Sequence, residues 1–274
     1  MSKYTLGLDF GTESARALLV DVATGEIAAT AVEAYPDGVI DEHLPGSAAP
    51  LPPDWALQNP SDWLAVMERT TQAALRQSGV AAAEVIGIGL DFTACTVLPT
   101  SADGAPFHTQ AAYRARPHAW AKLWKHHAAQ PQADRVNALA AARGDAWPRR
   151  YGGKISSEWL IPKALQLLEE DPELYAAADC IVEAADWVVW QLTGVLARNA
   201  CAAGYKGTWH KSAGYLPADF LAALHPDLAG LYASKVAGPV VAPGARVGGL
   251  SAAWAARLGL AAGTPVAAGI IDAH

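Results

Sequence analysis

The sequence predicts an α/β domain with a mixed sheet, and three observations support this fold class. A short alternating apolar run that ends at Asp9, a second apolar run at 17–20 and a third predicted strand at 27–34 are separated by turn-forming residues, which predicts an antiparallel meander of three strands. A helix is predicted after residue 59, and a buried strand is predicted over residues 85–91. Strands followed by a helix and a returning strand are typical of a sheet covered by helices.

The first predicted turn has the residue types of a phosphate-binding loop. Gly11 lets the backbone approach a bulky anion, and the hydroxyls and amides of Thr12 and Ser14 can donate to phosphoryl oxygens. Asp9 would face a Mg²⁺ ion, directly or through water. The turn is therefore a candidate site for the phosphates of a nucleotide.

Two other functional loops do not match this turn. The Asp-Phe-Gly triplet at residues 9–11 lies near the start of the chain, whereas protein kinases carry it after their glycine-rich and catalytic loops. A Walker-type loop needs a lysine after its second glycine, and none follows here. An ordinary hairpin turn uses the same residue types, so the loop alone leaves that alternative open.

The first helix has clear start and stop signals. Asn59 is a predicted N-cap, Pro60 occupies the first helical position, and Gly79 is suited to end the helix. Residues 36–53 hold five prolines and two glycines, which predicts an irregular surface excursion.

The middle of the chain, residues 117–193, has helical character. A strand at residues 96–100 is expected to extend the first sheet, and Ser251 is the predicted cap of a short helix near the end. Residues 264–271 are predicted to form a strand that runs into Asp272. Helices are predicted over the ranges 117–129, 131–143, 157–170 and 182–193.

Three aspartates, Asp9, Asp91 and Asp272, fall at the ends of predicted strands. In open α/β sheets, ligands bind beyond the carboxyl ends of the strands, so these side chains are candidates for chemistry. Aspartate also ends strands simply because it favours turns. For Asp9 and Asp272 taken together, we favour a functional role.

Composition excludes several classes of protein. With 52% hydrophobic and 17% charged residues, the chain can bury a sizeable core. Its net charge of −7 and its isoelectric point near 5.6 argue against nucleic acid as a partner. The first residues lack the apolar stretch of a signal peptide, and the apolar run near the end is interrupted by glycines and a proline. We therefore expect a soluble cytoplasmic protein with no membrane partner.

Cysteine usage offers no disulfide framework and no zinc site. Cys95, Cys180 and Cys201 are widely spaced and form no Cys-x-x-Cys pair. We expect reduced thiols, with Cys95 as a small buried residue rather than a nucleophile.

Four segments resemble the FGGY family of carbohydrate kinases. The first resembles the family's first phosphate motif, and the later ones resemble the subgroup that phosphorylates L-ribulose rather than members that act on xylulose or glycerol. The similarity extends over the whole chain. The segments are Gly-Leu-Asp-Phe-Gly-Thr-Glu-Ser-Ala-Arg-Ala at 7–17, Arg-Pro-His-Ala at 116–119 with Leu-Trp-Lys-His-His-Ala-Ala-Gln at 123–130, Tyr-Gly-Gly-Lys-Ile-Ser-Ser-Glu-Trp at 151–159, and Ala-Gly-Tyr-Lys at 203–206.

The resemblance implies an actin-like ATPase (ribonuclease H-like) domain with a helix-rich insertion at about residues 115–200. It implies that the sugar contacts the backbone of Ala94, the side chain of Lys206, and Asp272, which is also the general base. From the sequence alone, Lys206 would be an ordinary solvated loop residue. Trp124 either shapes the sugar pocket or packs on a neighbouring element, and the same alternatives hold for Lys125.

The resemblance also implies ATP and Mg²⁺ as cofactors. Gly11 and Thr12 would meet the transferred phosphoryl group, and Ser14 belongs to the same phosphate loop. Asp9 would lie near the Mg²⁺ ion.

Members of the family continue into a second lobe of similar size that carries the adenosine site, whereas this chain stops two residues after Asp272. Residues 1–274 are therefore expected to be the N-terminal, sugar-binding lobe, with the C-terminal nucleotide-binding lobe absent and the chain inactive alone. A ketopentose and the missing lobe are the expected partners. The sequence does not decide the oligomeric state, and a homodimer stays open.

The expected function of the intact protein is ATP-dependent conversion of L-ribulose to L-ribulose 5-phosphate. Another ketopentose such as D-ribulose or D-xylulose is an alternative substrate, and a sugar-binding module without turnover is an alternative function. An actin-like ATPase of the chaperone or filament type shares the first loop, but it does not account for the segments at 123–130 and 151–159.

Overall fold

The structure is a computed structural model that describes residues 2–273, and it confirms the α/β fold class with a mixed sheet. Strands predominate at both ends of the chain, and most of the helices lie between them. The strands are β1 Tyr4–Phe10, β2 Ser14–Asp21, β3 Ile27–Ala34, β4 Leu57–Gln58, β5 Val85–Phe92, β6 Val97–Thr100, β7 Ala121–Lys122, β8 Cys180–Glu183, β9 Arg198–Asn199, β10 Val240–Val241, β11 Arg246–Gly249, β12 Pro265–Ala267 and β13 Ile270–Ile271. The α-helices are α1 Pro60–Ser78, α2 Gln130–Arg143, α3 Leu160–Glu170, α4 Pro172–Ala177, α5 Ala184–Thr193, α6 Ala200–Tyr205, α7 Ala218–Leu224 and α8 Ala252–Leu258.

The main sheet has seven strands within the described residues, in the order β11-β12-β5-β1-β2-β3, with β13 paired beside β12 on β5. The predicted meander is confirmed, because β1, β2 and β3 pair antiparallel. β5 returns parallel to β1, and β13 runs parallel to β5. The carboxyl ends of β1, β5 and β13 therefore meet at one edge of the sheet.

One face of the main sheet carries the first hydrophobic core. Alternating residues such as Leu6, Leu8 and Phe10 are at most 2% exposed and pack with residues of α1, α5 and α8. The predicted start and stop of α1 are confirmed. The Asn59 side chain accepts from the backbone N–H of Ser61, and the helix ends at Gly79, which has a left-handed φ of 67°.

The predicted final strand is interrupted at Ala268 and Gly269, so it forms two short strands, β12 and β13. A β-carbon at Gly269 would lie 2.8 Å from Leu90 Cδ1 and 3.0 Å from Ala185 Cβ. Glycine at this position lets the backbone pass between β5 and α5 on its way to Asp272.

A second hydrophobic core lies around the small sheet β4-β7-β6-β8 and the helices α2, α3, α4 and α7. The strand predicted at residues 96–100 belongs to this sheet as β6 and does not extend the main one. Within the helix-rich range expected at about 115–200, α5 packs in the first core.

The helix predicted over residues 117–129 is wrong. Only Pro117–Ala119 form a short 3₁₀ turn, and residues 121–122 form β7 instead. Lys122 pairs there with Leu57 of β4 and Val97 of β6. These long-range pairings decide the local conformation, which propensity within the segment does not reveal.

No helix in the described part of the chain is long and apolar enough to cross a membrane. Grooves run along the second face of the main sheet and are lined by Gly7 of β1, Gly89 of β5 and Gly244 of the turn before β11.

Candidate active site

The three predicted strand-end aspartates lie at the same edge of the main sheet. Asp9 and Asp91 are directly paired neighbours on β1 and β5, and Ile270 of β13 is the neighbour of Asp91 on its other side. The backbone N–H of Asp272 donates to the carbonyl of Phe92 at 3.0 Å, which fixes Asp272 beside the end of β5. The sheet topology therefore brings together carboxylates that are up to 263 residues apart, counted from Asp9 to Asp272.

The electrostatics of this edge depend on Asp91. The pKa of Asp91 is raised to about 7, mainly by burial and also by the charge and hydrogen bond of Asp9 and the charge of Asp272. Arg16 opposes this shift. Its guanidinium lies 2.9 Å from Asp9 Oδ2, in an exposed ion pair across the β1–β2 hairpin. Near neutral pH, Asp91 is therefore protonated in a substantial fraction of the molecules, and a bound cation would displace that proton.

Mg²⁺ is usually held by one or two carboxylates together with substrate phosphates and water. No group of three or more His, Cys, Asp or Glu side chains within residues 2–273 is arranged to hold a metal ion. Asp9 and Asp91 nevertheless supply the two neighbouring carboxylates that this mode requires. The charge of Asp9 helps to raise the pKa of Asp91, which indicates a place where a bound cation would be stabilised. The donor set thus fits a Mg²⁺ ion that shares its coordination with a phosphate group.

The candidate phosphate loop forms the tip of the β1–β2 hairpin. The amide of Gly11 donates to the carbonyl of Ser14 at 3.0 Å, so this amide closes the turn instead of facing a ligand. A β-carbon at Gly11 would lie 3.3 Å from the same carbonyl oxygen. Ser14 begins β2 and points to the same side of the sheet as Arg16, because side chains alternate along a strand.

Thr12 is held from outside the hairpin. The indole Nε1 of Trp124 donates to Thr12 Oγ1 at 3.0 Å, and the amide of Gln58 donates to the Thr12 carbonyl at 2.7 Å. Both partners come from segments next to the second core. The hydroxyl hydrogen of Thr12 stays available to donate, since the oxygen acts as an acceptor toward Trp124. The second core therefore fixes the loop that is expected to meet the phosphoryl group.

Ala94 lies in a tight turn that follows β5 directly. Thr93 and Thr96 hydrogen-bond through their hydroxyls at 3.0 Å, and the amide of Thr93 donates to the carbonyl of Phe10 at 3.1 Å. Cys95 adopts a left-handed φ of 60° and is 1% exposed. This conformation costs a non-glycine residue on the order of 1–3 kcal/mol, and it persists only where the surrounding structure holds it in place. The expected sugar contact is thus built on a strained and well-packed turn.

Lys206 follows α6, which packs against β13 near Asp272. The Asn199 side chain caps the start of α6, and the buried Asp186 carboxylate accepts from the amide and side chain of Asn199 at 2.9 and 2.7 Å. The Lys206 ammonium lies 5.4 Å from the ring centre of Trp159. Its charge also lowers the pKa of the Cys95 thiol, against the larger effect of burial, which raises that pKa to about 12. The Lys206 ammonium therefore lies close enough to the Ala94 turn for its charge to act on Cys95.

Sequence reasoning missed Arg16 and Gln58 and left the role of Trp124 open. The register that pairs Arg16 with Asp9 follows from the hairpin, so a count along the predicted strands would have found it. The contacts of Gln58 and Trp124 with Thr12 join residues that are 46 and 112 positions apart. No local pattern in the sequence predicts these two contacts.

The model for the N-terminal domain of the FGGY family of carbohydrate kinases matches residues 4–274. A ribulokinase from Geobacillus thermodenitrificans is 52% identical over 272 residues, which cover 99% of this chain and 48% of that protein. A ribulokinase from Mycolicibacterium smegmatis is 50% identical over 273 residues, with the same coverage. The chain spans about half the length of these curated relatives.

Solved structures show the same fold at lower sequence identity. A gluconate kinase from Lactobacillus acidophilus superimposes with a TM-score of 0.75 at 16% identity, over 99% of this chain and 48% of that one. A xylulose kinase from the same organism gives 0.74 at 16% identity, over 98% of this chain and 48% of that one. These likenesses confirm the expected actin-like ATPase fold. Together with the match over residues 4–274, they show that the chain belongs to the FGGY family of carbohydrate kinases and corresponds to its N-terminal domain.

Proposed function

We propose that the intact protein transfers the γ-phosphoryl group of ATP to L-ribulose, giving L-ribulose 5-phosphate and ADP, and that this chain supplies the sugar site and the general base. The main structural support is the meeting of Asp9, Asp91 and Asp272 at one sheet edge, beside the Ala94 turn and Lys206. The choice of sugar is supported by relatives of about 50% identity that are named ribulokinases.

Phosphoryl transfer needs an acceptor held in line with the phosphate, neutralisation of charge, and a group that takes the hydroxyl proton. In our proposal, the backbone at Ala94 and the ammonium of Lys206 orient the ketopentose. The carboxylate of Asp272 then accepts the proton of the attacking hydroxyl. Asp272 is exposed at the strand end, which leaves its carboxylate accessible to a sugar.

The hairpin tip supplies the other half of the arrangement. Thr12, fixed by Trp124, donates its hydroxyl to the transferred phosphoryl group, with Gly11 and Ser14 shaping the turn around it. Asp9 and Asp91 would hold the Mg²⁺ ion. When bound, that ion supplies positive charge to the phosphate oxygens.

A sugar-binding module without turnover is the second candidate, since the expected sugar contacts at Ala94 and Lys206 both belong to this chain. D-ribulose and D-xylulose are the alternative substrates. The cytoplasmic location and the homodimer considered from the sequence stay predictions.

A reconstitution experiment tests the proposed function. Its reagent, called the joined protein below, is this chain followed by the C-terminal half of the Geobacillus thermodenitrificans relative. We expect the chain alone to bind no ATP in a calorimetric titration and to phosphorylate no sugar, and we expect the joined protein to release ADP in the presence of L-ribulose. A folded joined protein that binds L-ribulose without turnover would instead favour the sugar-binding module.

A further inference from the structure

Lys163, in the first turn of α3, is a lysine whose ammonium group lies entirely inside the protein. The residue is 1% exposed. Its Nζ donates to the backbone carbonyls of Cys95 at 2.6 Å, Leu123 at 2.8 Å and Lys122 at 3.3 Å. An ammonium group has three hydrogens, so each one has a carbonyl partner.

These three carbonyls belong to the two segments that approach the candidate active site. Cys95 is the left-handed residue of the sugar-facing turn and follows Ala94 directly. Leu123 precedes Trp124, whose indole fixes the hydroxyl of Thr12 in the candidate phosphate loop. A single side chain therefore ties the turn after β5 to the segment after β7.

Nearby acidic groups offset only part of the effect that burial has on Lys163. Burial lowers the pKa of Lys163 to about 8, whereas the charges of Cys95 and Glu183 oppose that shift. Glu183 is itself 8% exposed, and burial raises its pKa to about 8 while Lys163 acts to lower it. A buried ammonium contributes little net stability compared with an apolar side chain of the same size. Its position at the junction of two active-site segments therefore points to a role in geometry.

We propose that Lys163 is a positioning residue that holds the Ala94 turn and the Trp124 segment in register, so that the sugar and the phosphoryl group meet in the correct geometry. The effect on the turn stands on the structure alone, whereas the effect on catalysis rests on the proposed function. Lys163 touches neither substrate in this scheme, because its ammonium group is fully occupied by the three carbonyls.

Lys122 provides a matched control. It is 4% exposed, lies in the same region, and its Nζ donates to the carbonyl of Lys163 at 3.3 Å. Within residues 2–273, its ammonium group forms no hydrogen bond with the Cys95 turn, and its backbone carbonyl stays in place when the side chain is changed. Lys163→Met and Lys122→Met therefore remove the same kind of buried charge, and only the first releases the turn.

The first arm of the test measures thiol labelling in this chain, mapped by mass spectrometry. Cys95 is 1% exposed, whereas Cys180 on β8 is half-buried and serves as the internal reference. In Lys163→Met we expect the labelling rate of Cys95 to rise at least about tenfold through local opening, with that of Cys180 unchanged. Lys122→Met should leave both rates near the wild-type values. Equal increases in both variants, or an unchanged Cys95 rate in Lys163→Met, would overturn the proposal.

The second arm uses the joined protein and separates the two proposals. Lys163→Met should raise KM for L-ribulose at least about tenfold, and Lys122→Met should change it by less than about threefold. If the unsubstituted joined protein phosphorylates no ketopentose, the proposed function fails, and the labelling arm still decides the role of Lys163 in the turn. If Lys163→Met does not fold, as judged by circular dichroism, Lys163→Gln replaces it, because it keeps an amide donor in a similar volume. The same thresholds then apply.

Discussion

Asp272 combines a fixed backbone with an exposed side chain, which suits a group that must accept a proton from a bound sugar. Its amide is bonded to the carbonyl of Phe92 at 3.0 Å, so the position of its Cα follows that of β5. A substitution of the side chain therefore leaves the strand end in place.

Asp272→Asn keeps the size of the side chain and removes the proton acceptor. In the joined protein we expect kcat to fall by about 10²–10⁴-fold, the usual cost of losing a general base. Affinity for L-ribulose should change by less than roughly tenfold, or ~1.4 kcal/mol. Single-turnover phosphorylation and sugar titration on the same variant test this. Near-normal turnover would remove Asp272 from the mechanism, and an equal loss of rate and binding would make it a sugar-positioning residue.

The raised pKa of Asp91 makes the free energy of unfolding depend on pH. The pKa of Asp91 is raised from 3.8 to about 7 in the folded chain. The folded state therefore binds the proton more tightly than the unfolded state, and this contribution to stability is full below about pH 4 and is lost as the pH rises through about 7.

Asp91→Asn should accordingly stabilise the chain at high pH and have little effect at low pH. We expect a gain of roughly 1 kcal/mol at pH 8, or about 2–4 °C in Tm, after allowing for solvent screening of a half-buried group. Thermal unfolding of both proteins at pH 4, 6 and 8 measures the difference. A constant offset across this range would show that Asp91 titrates normally.

The sequence predicted the meeting of Asp9, Asp91 and Asp272, because parallel strands of one sheet place their carboxyl ends at the same edge. It did not predict the ion pair of Asp9 with Arg16, which needs the exact register of the hairpin. Nor did it reveal that Lys163 donates hydrogen bonds to three carbonyls, since that arrangement exists only after α3, β7 and the turn after β5 have packed together.

At the scale of single elements, the sequence predicted the helix caps, which depend on a few neighbouring residues. It did not predict strand pairings between distant segments. The caps of α1 at Asn59 and of α8 at Ser251 were both predicted and are confirmed. Residues 121–122 were predicted as helix and form β7, because their partners lie on β4 and β6. Residues 36–53 are largely irregular as expected, yet Ile40 reaches the second core and pairs with Leu57.

The hairpin between β1 and β2 gives a prediction for the phosphate loop. A β-carbon at Gly11 would lie 3.3 Å from the carbonyl oxygen of Ser14, so a branched side chain should push the turn outward and block close approach of a phosphate. In the joined protein, we expect Gly11→Val to lower kcat or raise KM for ATP by at least about tenfold, with a smaller effect of Gly11→Ala. Steady-state kinetics with ATP as the varied substrate test this. Normal constants for Gly11→Val would mean that the loop is an ordinary hairpin.

At the scale of the whole molecule, the candidate site lies where two cores meet. The main sheet contributes the aspartates and the hairpin tip, while the second core contributes Trp124 and the helix that carries Lys163. Selectivity for the sugar would then come from this chain, through the Ala94 turn and Lys206. The relatives are about twice as long as this chain, and we expect the adenosine of ATP to bind mainly to the half that it does not match.

The most direct test of the proposed function is the sugar preference of the joined protein. We predict a kcat/KM for L-ribulose that exceeds those for D-xylulose and gluconate by at least about tenfold, or ~1.4 kcal/mol of transition-state discrimination. Release of ADP at varied sugar concentration measures all three constants under the same conditions. Equal constants for the three sugars, or a folded joined protein that phosphorylates none of them, would contradict the account.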